Sequence, residues 1–231
     1  KITDGLGKTT FILYDAQNNV VSITDPAGAA SSFTYDASGN VTSITAPDGT
    51  TTRLEYDALS RLVRTTDASG NITSYAYDPA GNRTSSTDAN GNATRFTYDN
   101  KARLISTVDS LNSVTAYTYG TSGCASCGAS ADKLTSITDA KAQATSYVYD
   151  VLGRLFSETG QLGGITSYGY DAKGNLVSKT DANGNTVTYA YDLLNRLIWV
   201  NYPDGTRTGF AYDAKGNVIT ASNQHVTYHL T

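Results

Sequence analysis

The 231-residue chain has no methionine, two histidines, two cysteines, four prolines and one tryptophan. With so few histidines and cysteines, it offers little from which a nucleophile–base pair or a metal centre could be built. Its net charge of −4 lacks the basic excess that attracts nucleic acid or anionic membranes. No apolar run approaches the roughly 18 residues of a membrane-spanning helix. We therefore predict a segment that is not an enzyme, with no cofactor, no metal, no nucleic-acid partner and no membrane span.

Tyrosine, by contrast, is abundant and periodic. Tyrosines followed by aspartate or a close variant recur at a spacing of 21 residues, broken by one step of 30. They are Tyr14, Tyr35, Tyr56, Tyr77, Tyr98, Tyr119, Tyr149, Tyr170, Tyr191 and Tyr212. The longer step is one period plus a nine-residue insertion. A fixed period is typical of repeat architectures, in which each unit packs on its neighbours. Function is therefore expected in the surface or enclosure that the repeats build.

Each repeat predicts one β-hairpin. A large apolar or aromatic residue lies two positions before each tyrosine, and Thr or Ser lies four before it in nine repeats, with Val187 in the tenth. This alternation predicts a strand with an aromatic face. A turn follows, with Asp bonding backbone N–H groups and Gly supplying positive φ. Its clearest examples are Asp36 and Gly39, Asp78 and Gly81, Asp171 and Gly174, and Asp213 and Gly216. A second strand and a second tight turn complete the repeat.

The predicted fold class is all-β: tandem 21-residue hairpins forming one long antiparallel ribbon that curls into a β-solenoid or shell. A flat open sheet of about 20 strands is not stable, so the ribbon must twist, and its aromatic face must be covered or enclosed. We assign residues 1–222 to ten repeats in one array, with the insertion within 120–132. Residues 223–231 read as the degenerate start of a further repeat, and the parent chain is expected to continue beyond both ends. We interpret the tyrosine rows as a structural ladder.

Other chemistry is weakly represented. Most aspartates lie at the two turn positions, which turn hydrogen bonding explains without calcium. His225 and His229 are four residues apart, about 13 Å along a strand, too far to share one ion. Cys124 and Cys127 form a Cys-x-x-Cys pair in the insertion. We interpret it as a local disulfide or a reduced pair that stiffens a long loop. The alternative is zinc or iron shared with a second chain or with a distant part of the parent chain.

The repeat resembles the YD repeat of the RHS family. The residues that carry the resemblance are Tyr170-Asp171-Ala-Lys-Gly174-Asn175-Leu176 followed by Thr180-Asp181-Ala-Asn-Gly184. The pattern recurs ten times over residues 9–222, and the Cys-x-x-Cys-Gly insertion is similar to inserts in bacterial members. The resemblance implies a large secreted or surface bacterial protein whose ribbon spirals into a hollow shell. In polymorphic toxins and insecticidal toxin complexes of this kind, the shell encloses a C-terminal effector, whereas the related shell of teneurins is adhesive.

We therefore predict a non-catalytic structural segment of a large secreted or cell-surface bacterial RHS-repeat protein. It would build part of a hollow β-shell that encloses or displays another polypeptide, such as a C-terminal toxin. Its partners would be flanking parts of the same chain and the enclosed effector. The alternative is an extracellular adhesin, a glycan-binding module, or a filament that self-associates through its strand edges. Flanking sequence would discriminate: a core segment and a variable effector indicate a toxin, an anchor or further repeats an adhesin.

Overall fold

The computed structural model describes residues 1–120, 132–223 and 226–229. Their regular structure consists of β-strands in chain order. These are β1 Ile2–Thr3, β2 Thr9–Tyr14, β3 Val20–Thr24, β4 Ala30–Tyr35, β5 Val41–Thr45, β6 Thr51–Tyr56, β7 Leu62–Thr66, β8 Ile72–Tyr77, β9 Arg83–Thr87, β10 Ala93–Tyr98, β11 Leu104–Val108, β12 Val114–Tyr119, β13 Leu134–Thr138, β14 Ala144–Tyr149, β15 Leu155–Thr159, β16 Ile165–Tyr170, β17 Leu176–Thr180, β18 Thr186–Tyr191, β19 Leu197–Asn201, β20 Arg207–Tyr212, β21 Val218–Ser222 and β22 Thr227–His229. Cys124, Cys127 and His225 lie outside the described residues, so the interpretations of the cysteine and histidine pairs stay predictions.

The chain divides into two compact units, Lys1–Val114 and Thr115–Thr231. In the first unit, each strand from β1 to β11 pairs antiparallel with the next along the chain. In the second unit, the same holds from β12 to β22. The predicted all-β array of antiparallel hairpins is thereby confirmed. Every tyrosine of the periodic set is the last residue of its six-residue strand.

The turns between strands use one recurring geometry. In the turn between β4 and β5, the Asp36 N–H donates to the Asn40 carbonyl at 2.9 Å, and the Gly39 N–H donates to the Asp36 carbonyl at 3.1 Å. One carboxylate oxygen of Asp36 accepts the N–H groups of Ser38 and Asn40, both at 2.9 Å. Gly39 has φ +84°. This is a three-residue hairpin loop, residues 37–39, whose last residue has a left-handed conformation. The Asp36 side chain stabilises the loop.

That left-handed position is not always glycine. Six non-glycine residues hold positive φ at equivalent points, namely Asn18, Ser60, Ala102, Asn112, Ala142 and Asn195. Asn tolerates this conformation better than most residues, because its side chain can bond locally. Alanine and serine have fewer such side-chain bonds to offset the steric cost of positive φ. Their conformation is therefore imposed by the turn's hydrogen bonds and the paired strands.

The two turns of a repeat differ in strand register. We call the turn after the tyrosine the first turn and the other the second turn. Across the first turn, Thr34 pairs with Ser43 but Tyr35 pairs with Val41, so Thr42 has no partner residue. The same shift occurs beside the first turn of every repeat. Across the second turns, pairing runs without a shift. The hairpins are therefore bulged at one edge, where twist and bending increase.

Neither unit buries a conventional core. Within the described parts of the chain, Val200 is the only buried hydrophobic side chain, at 9 % exposure. Ile23 and Ile44, which share the tyrosine-bearing face, remain 36 % and 38 % exposed. The periodic tyrosines are half-buried, except Tyr14, which is exposed. The described strands of each unit form a single layer that leaves both of its faces partly open.

Candidate functional site

The tyrosine hydroxyls link each repeat to the one before it. The Tyr35 hydroxyl donates to the Val20 carbonyl at 2.7 Å, 15 residues earlier. Val20 pairs with Tyr14 at the register shift of the preceding hairpin. The same bond joins Tyr77 to Leu62, Tyr98 to Arg83, Tyr149 to Leu134, Tyr170 to Leu155, Tyr191 to Leu176 and Tyr212 to Leu197, at 2.8 to 3.0 Å. Each of these seven tyrosines therefore binds the bulged end of a neighbouring strand.

Some first turns add an arginine to this linkage. In the turn between β6 and β7, the Arg61 Nε and Nη2 both contact the Asp57 Oδ2 at 2.7 Å. The Arg61 Nη1 donates to the Asp78 carbonyl of the next repeat at 2.9 Å. The guanidinium carbon lies 4.8 Å from the centre of the Tyr77 ring. A single side chain thus stabilises its own turn, the next tyrosine and the next turn.

This arrangement recurs with little variation in the second unit. Arg154 lies 4.5 Å from the Tyr170 ring centre and donates to the Asp171 carbonyl at 3.3 Å. Arg196 lies 4.6 Å from the Tyr212 ring and donates to the Asp213 carbonyl at 3.3 Å. We call these arginine turns. They occur in every second repeat over much of the chain and alternate there with asparagine turns. The fifth residue of an asparagine turn is Asn19, Asn40, Asn82, Asn175 or Asn217.

Sequence reasoning missed this alternation. The signal was present in the fifth residue of the first turn, where Arg61 and Arg103 are 42 residues apart, as are Arg154 and Arg196. The repeat pattern by itself assigned no separate role to this fifth residue. The geometry separates Asn from Arg at this point, because only arginine is long enough to reach the tyrosine and the carbonyl of the next repeat.

The predicted turn aspartates are held as carboxylates. The side-chain hydrogen bond from Asn40 is the main cause that lowers the pKa of Asp36, with the Asn40 backbone N–H adding to it and burial opposing it. Asp78, Asp171 and Asp213 also have lowered pKa values, led by the equivalent Asn side chain. Burial, conversely, raises the pKa of the Tyr149, Tyr170 and Tyr191 hydroxyls. Charged acceptors and neutral donors are the states that the observed hydrogen bonds require.

Trp199 lies on the opposite face, where small side chains dominate. It pairs with Ala190 and Gly209 on the flanking strands. A Cβ atom on Gly209 would collide with the indole ring, so the ring rests directly on that backbone. The Arg207 guanidinium lies 4.2 Å from the ring centre. The indole is therefore engaged by its own sheet and is not a bare stacking platform.

Neither a metal cluster nor a membrane helix stands out. Among the residues that the structure describes, no three His, Cys, Asp or Glu side chains are grouped to hold an ion. Across those same ranges, no helix has the length and apolar character needed to cross a bilayer. The distinctive features that remain are the tyrosine links, the two types of first turn and the half-open aromatic face.

These features define a tandem β-hairpin repeat protein whose units are joined through tyrosine. The RHS Repeat family profile matches residues 14–51, 35–72, 56–93, 77–110, 149–182 and 170–206, which together span more than half of the sequence. The chain belongs to the RHS repeat family. The resemblance drawn from the tyrosine–aspartate period is thus confirmed.

Several solved structures share the fold. The crystal structure of TcdB2-TccC3-Cdc42 matches with a TM-score of 0.55 at 19 % identity, covering 93 % of this chain and 14 % of that one. TcdB2-TccC3 alone gives a TM-score of 0.56 at 19 % identity. The Photorhabdus luminescens Tc holotoxin pore with the TccC3 D651A mutation gives 0.55 at 20 % identity. At this identity the likeness concerns the fold, and the chain spans about 14 % of the length of these neighbours. No curated protein matches the sequence significantly.

Proposed function

We propose that this structural repeat segment of an RHS protein forms part of the wall of a hollow shell that encloses another polypeptide of the same chain or complex. The array 1–222 acts as one continuous ribbon in this proposal, and its tyrosines and turn aspartates are structural. The segment itself does no chemistry. A secreted or cell-surface location in a bacterium, and a C-terminal toxin as the enclosed polypeptide, follow from the family resemblance and belong to the same proposal.

The half-open aromatic face is the observation that carries the proposal. A single-layer sheet with partly exposed isoleucines and half-buried tyrosines on one face is not stable as a free flat surface. Curling that face toward an enclosed space reduces its contact with water. Exposed leucines at turn tips also support the proposal. Leu162 is 96 % exposed and Leu193 is 91 % exposed. Such tips suit contact with further polypeptide.

The match covers 14 % of one chain in the TcdB2-TccC3-Cdc42 structure and in the Tc holotoxin pore. A wall segment of a larger assembly is consistent with that proportion. The repeat geometry also suits a wall, because each hairpin contacts only its neighbours and can be added without altering the rest. The bulge at every first turn gives each hairpin the same local bend, which favours a steadily curved ribbon.

The experiment is to purify the complete polypeptide that contains these residues, image it by cryo-electron microscopy and subject it to limited proteolysis. We expect a closed shell with internal density and a protease-resistant internal fragment. A matched control carries Tyr77→Ala together with Tyr170→Ala, which should weaken the wall and expose that fragment. A solid rod, or a shell whose fragment is cut as quickly in the unaltered protein as in the control, contradicts the proposal.

A glycan-binding role is the main competitor, and the geometry at Trp199 weighs against it. Its ring is engaged by Gly209 and Arg207, whereas sugar stacking requires an open aromatic face. A glycan array with the purified chain distinguishes the two roles. Selective binding that Trp199→Ala abolishes would favour the competitor.

A further inference from the structure

The asparagine turn formed by Asp15 to Asn19 leaves open the position that a guanidinium fills in the arginine turns. In the first unit, a solvent-open hollow of about 760 Å³ lies beside the first turns of two consecutive repeats. Its lining includes Asp15, Asn19, Tyr35 and Asp36. Asp15, Tyr35 and Asp36 are the repeat equivalents of Asp57, Tyr77 and Asp78, which hold the Arg61 side chain.

The acceptors around this hollow have spare capacity. Asp15 Oδ1 already accepts the Gln17 and Asn19 N–H groups, and its Oδ2 accepts only the Asn19 side chain at 3.0 Å among the bonds of this turn. The equivalent oxygen of Asp57 accepts two guanidinium nitrogens. The Asp36 carbonyl accepts the Gly39 N–H at 3.1 Å. A carbonyl has two lone pairs, and the equivalent Asp78 carbonyl binds both Gly81 and Arg61.

The Tyr35 ring also has the orientation seen in tyrosines that stack against an arginine. The Tyr35 hydroxyl donates to the carbonyl 15 residues earlier, as do the hydroxyls of Tyr77, Tyr170 and Tyr212, whose rings lie against arginines. The hydrogen bond that orients the ring is thus compatible with a stacked guanidinium. Val21 and Phe33 also line the hollow and offer apolar surface to the methylene stem of a long cationic side chain.

We propose that the hollow formed by Asp15, Tyr35 and Asp36 is a binding site for an arginine side chain of a second polypeptide segment. The guest guanidinium donates to the Asp15 carboxylate and the Asp36 carbonyl and stacks on the Tyr35 ring, reproducing the contacts of Arg61. We expect arginine to bind more tightly than lysine. The planar guanidinium can stack on the Tyr35 ring and, with several N–H groups, donate to the Asp15 carboxylate and the Asp36 carbonyl at the same time. This site does not depend on the shell proposal, since it requires only the local geometry of two turns.

The test is an NMR titration of the whole 231-residue chain with N-acetyl-arginine amide, following the Tyr35 ring and the Asp36 amide. N-acetyl-citrulline amide, which is uncharged but of similar shape, and N-acetyl-lysine amide are titrated in parallel. We expect saturable shifts with the arginine probe, weaker ones with lysine, and affinity for citrulline lower by at least about tenfold. Equal responses to arginine and citrulline overturn the proposal without the use of any variant.

Two variants with the same added charge locate the site. Asn19→Arg should supply the guanidinium internally and reduce the affinity for the arginine probe by at least about tenfold. Ala27→Arg adds the same charge at an exposed second-turn tip outside the hollow and should leave the Tyr35 response nearly unchanged. If both variants weaken binding equally, the attraction is one of overall charge and the assigned site is wrong.

Discussion

The two edges of the hairpin array close with the same turn but differ in how they join successive repeats. At the second turn between β9 and β10, Asp88 accepts the Asn90 and Asn92 N–H groups at 2.9 and 2.8 Å, much as Asp36 does at a first turn. Recurring side-chain bonds to a backbone carbonyl of the neighbouring repeat, however, lie at the first-turn edge, where the tyrosine hydroxyls and the arginines act. At the second-turn edge, hydroxyl pairs such as Thr45 and Thr51, at 3.0 Å, join the two strands of a single turn. At the second-turn edge, Gln161 donates to Asp139 at 3.3 Å between one pair of turns.

This difference teaches that turn formation and repeat coupling rest on separate residues. The aspartate that starts most turns bonds mainly within its own five residues, whereas tyrosine and arginine bond the neighbouring repeat. In a linear repeat protein, total stability is approximately a sum of intrinsic repeat terms and interface terms. We therefore expect changes at aspartate to alter the intrinsic term and changes at tyrosine or arginine to alter the interface term.

Acid should affect both edges at once and produce the largest loss. Turn aspartates at the first edge, such as Asp78, and at the second edge, such as Asp88, have pKa values below their ordinary value, led by Asn side-chain hydrogen bonds. A lowered folded-state pKa gives stability that is present above the unfolded value near 3.9 and is lost as pH falls through the lowered value. Denaturant unfolding should thus show stability falling steeply below about pH 4. A free energy of unfolding that stays constant from pH 7 to pH 2 would contradict the role of the ionised turn aspartates in stability.

Truncating a mid-array tyrosine should give the largest effect of a single substitution. Tyr77→Ala removes a half-buried ring, its bond to the Leu62 carbonyl and the surface on which Arg61 rests. Because the ring is half-buried, we expect a loss of about 2–3 kcal/mol, below the cost for a fully buried aromatic. Tyr77→Phe keeps the ring and should lose about 1 kcal/mol. Chemical denaturation measures both.

The control lies at the other end of the same strand. Ile72 begins β8 beside the second turn and is 36 % exposed. Ile72→Ala should cost less than Tyr77→Ala and should leave the cooperativity of unfolding unchanged. An equal loss of stability from Ile72→Ala and Tyr77→Ala would show that both edges couple the repeats, and the two edges would then not differ in this respect.

The sequence was sufficient for the strands and turns but not for the links between repeats. Alternation around each tyrosine placed strands such as β8, and the Asp-x-x-Gly spacing placed turns such as Asp78–Asn82, because both signals are local. The register shift was not predictable from that pattern, since an unpaired residue such as Thr42 follows the same composition as its neighbours. The partner of a tyrosine hydroxyl, 15 residues earlier, depends on that shift. Partial exposure of the aromatic face follows from the single layer of strands.

Exchanging the fifth residue of a turn should have a moderate effect that depends on the edge. Arg154→Asn removes the contact with the Tyr170 ring and the Asp171 carbonyl, so we expect a loss of about 1 kcal/mol. Asn82→Arg, at a first turn that precedes Tyr98, should give a comparable gain. Asn92→Arg, at a second turn, has no equivalent tyrosine ahead of it and should be neutral. Thermal unfolding ranks the three variants, and a gain from Asn92→Arg equal to that from Asn82→Arg would contradict the edge difference.

The smallest effect is expected where the two edges are alike. Ala102 lies in a first turn and Ala142 in a second turn, with φ +59° and +60°. Glycine adopts this conformation without the steric cost that alanine meets, although its freer unfolded chain offsets part of the benefit. Ala102→Gly and Ala142→Gly should each stabilise by about 0.5–1 kcal/mol, whereas Ala76→Gly within β8 should destabilise by a similar amount. Denaturant midpoints of the three variants provide the measurement. The turns share one hydrogen-bond pattern, so the two turn substitutions should give equal gains. A gain at only one of them would mean that turn geometry also differs between the edges. Turn formation and repeat coupling would then not be separable.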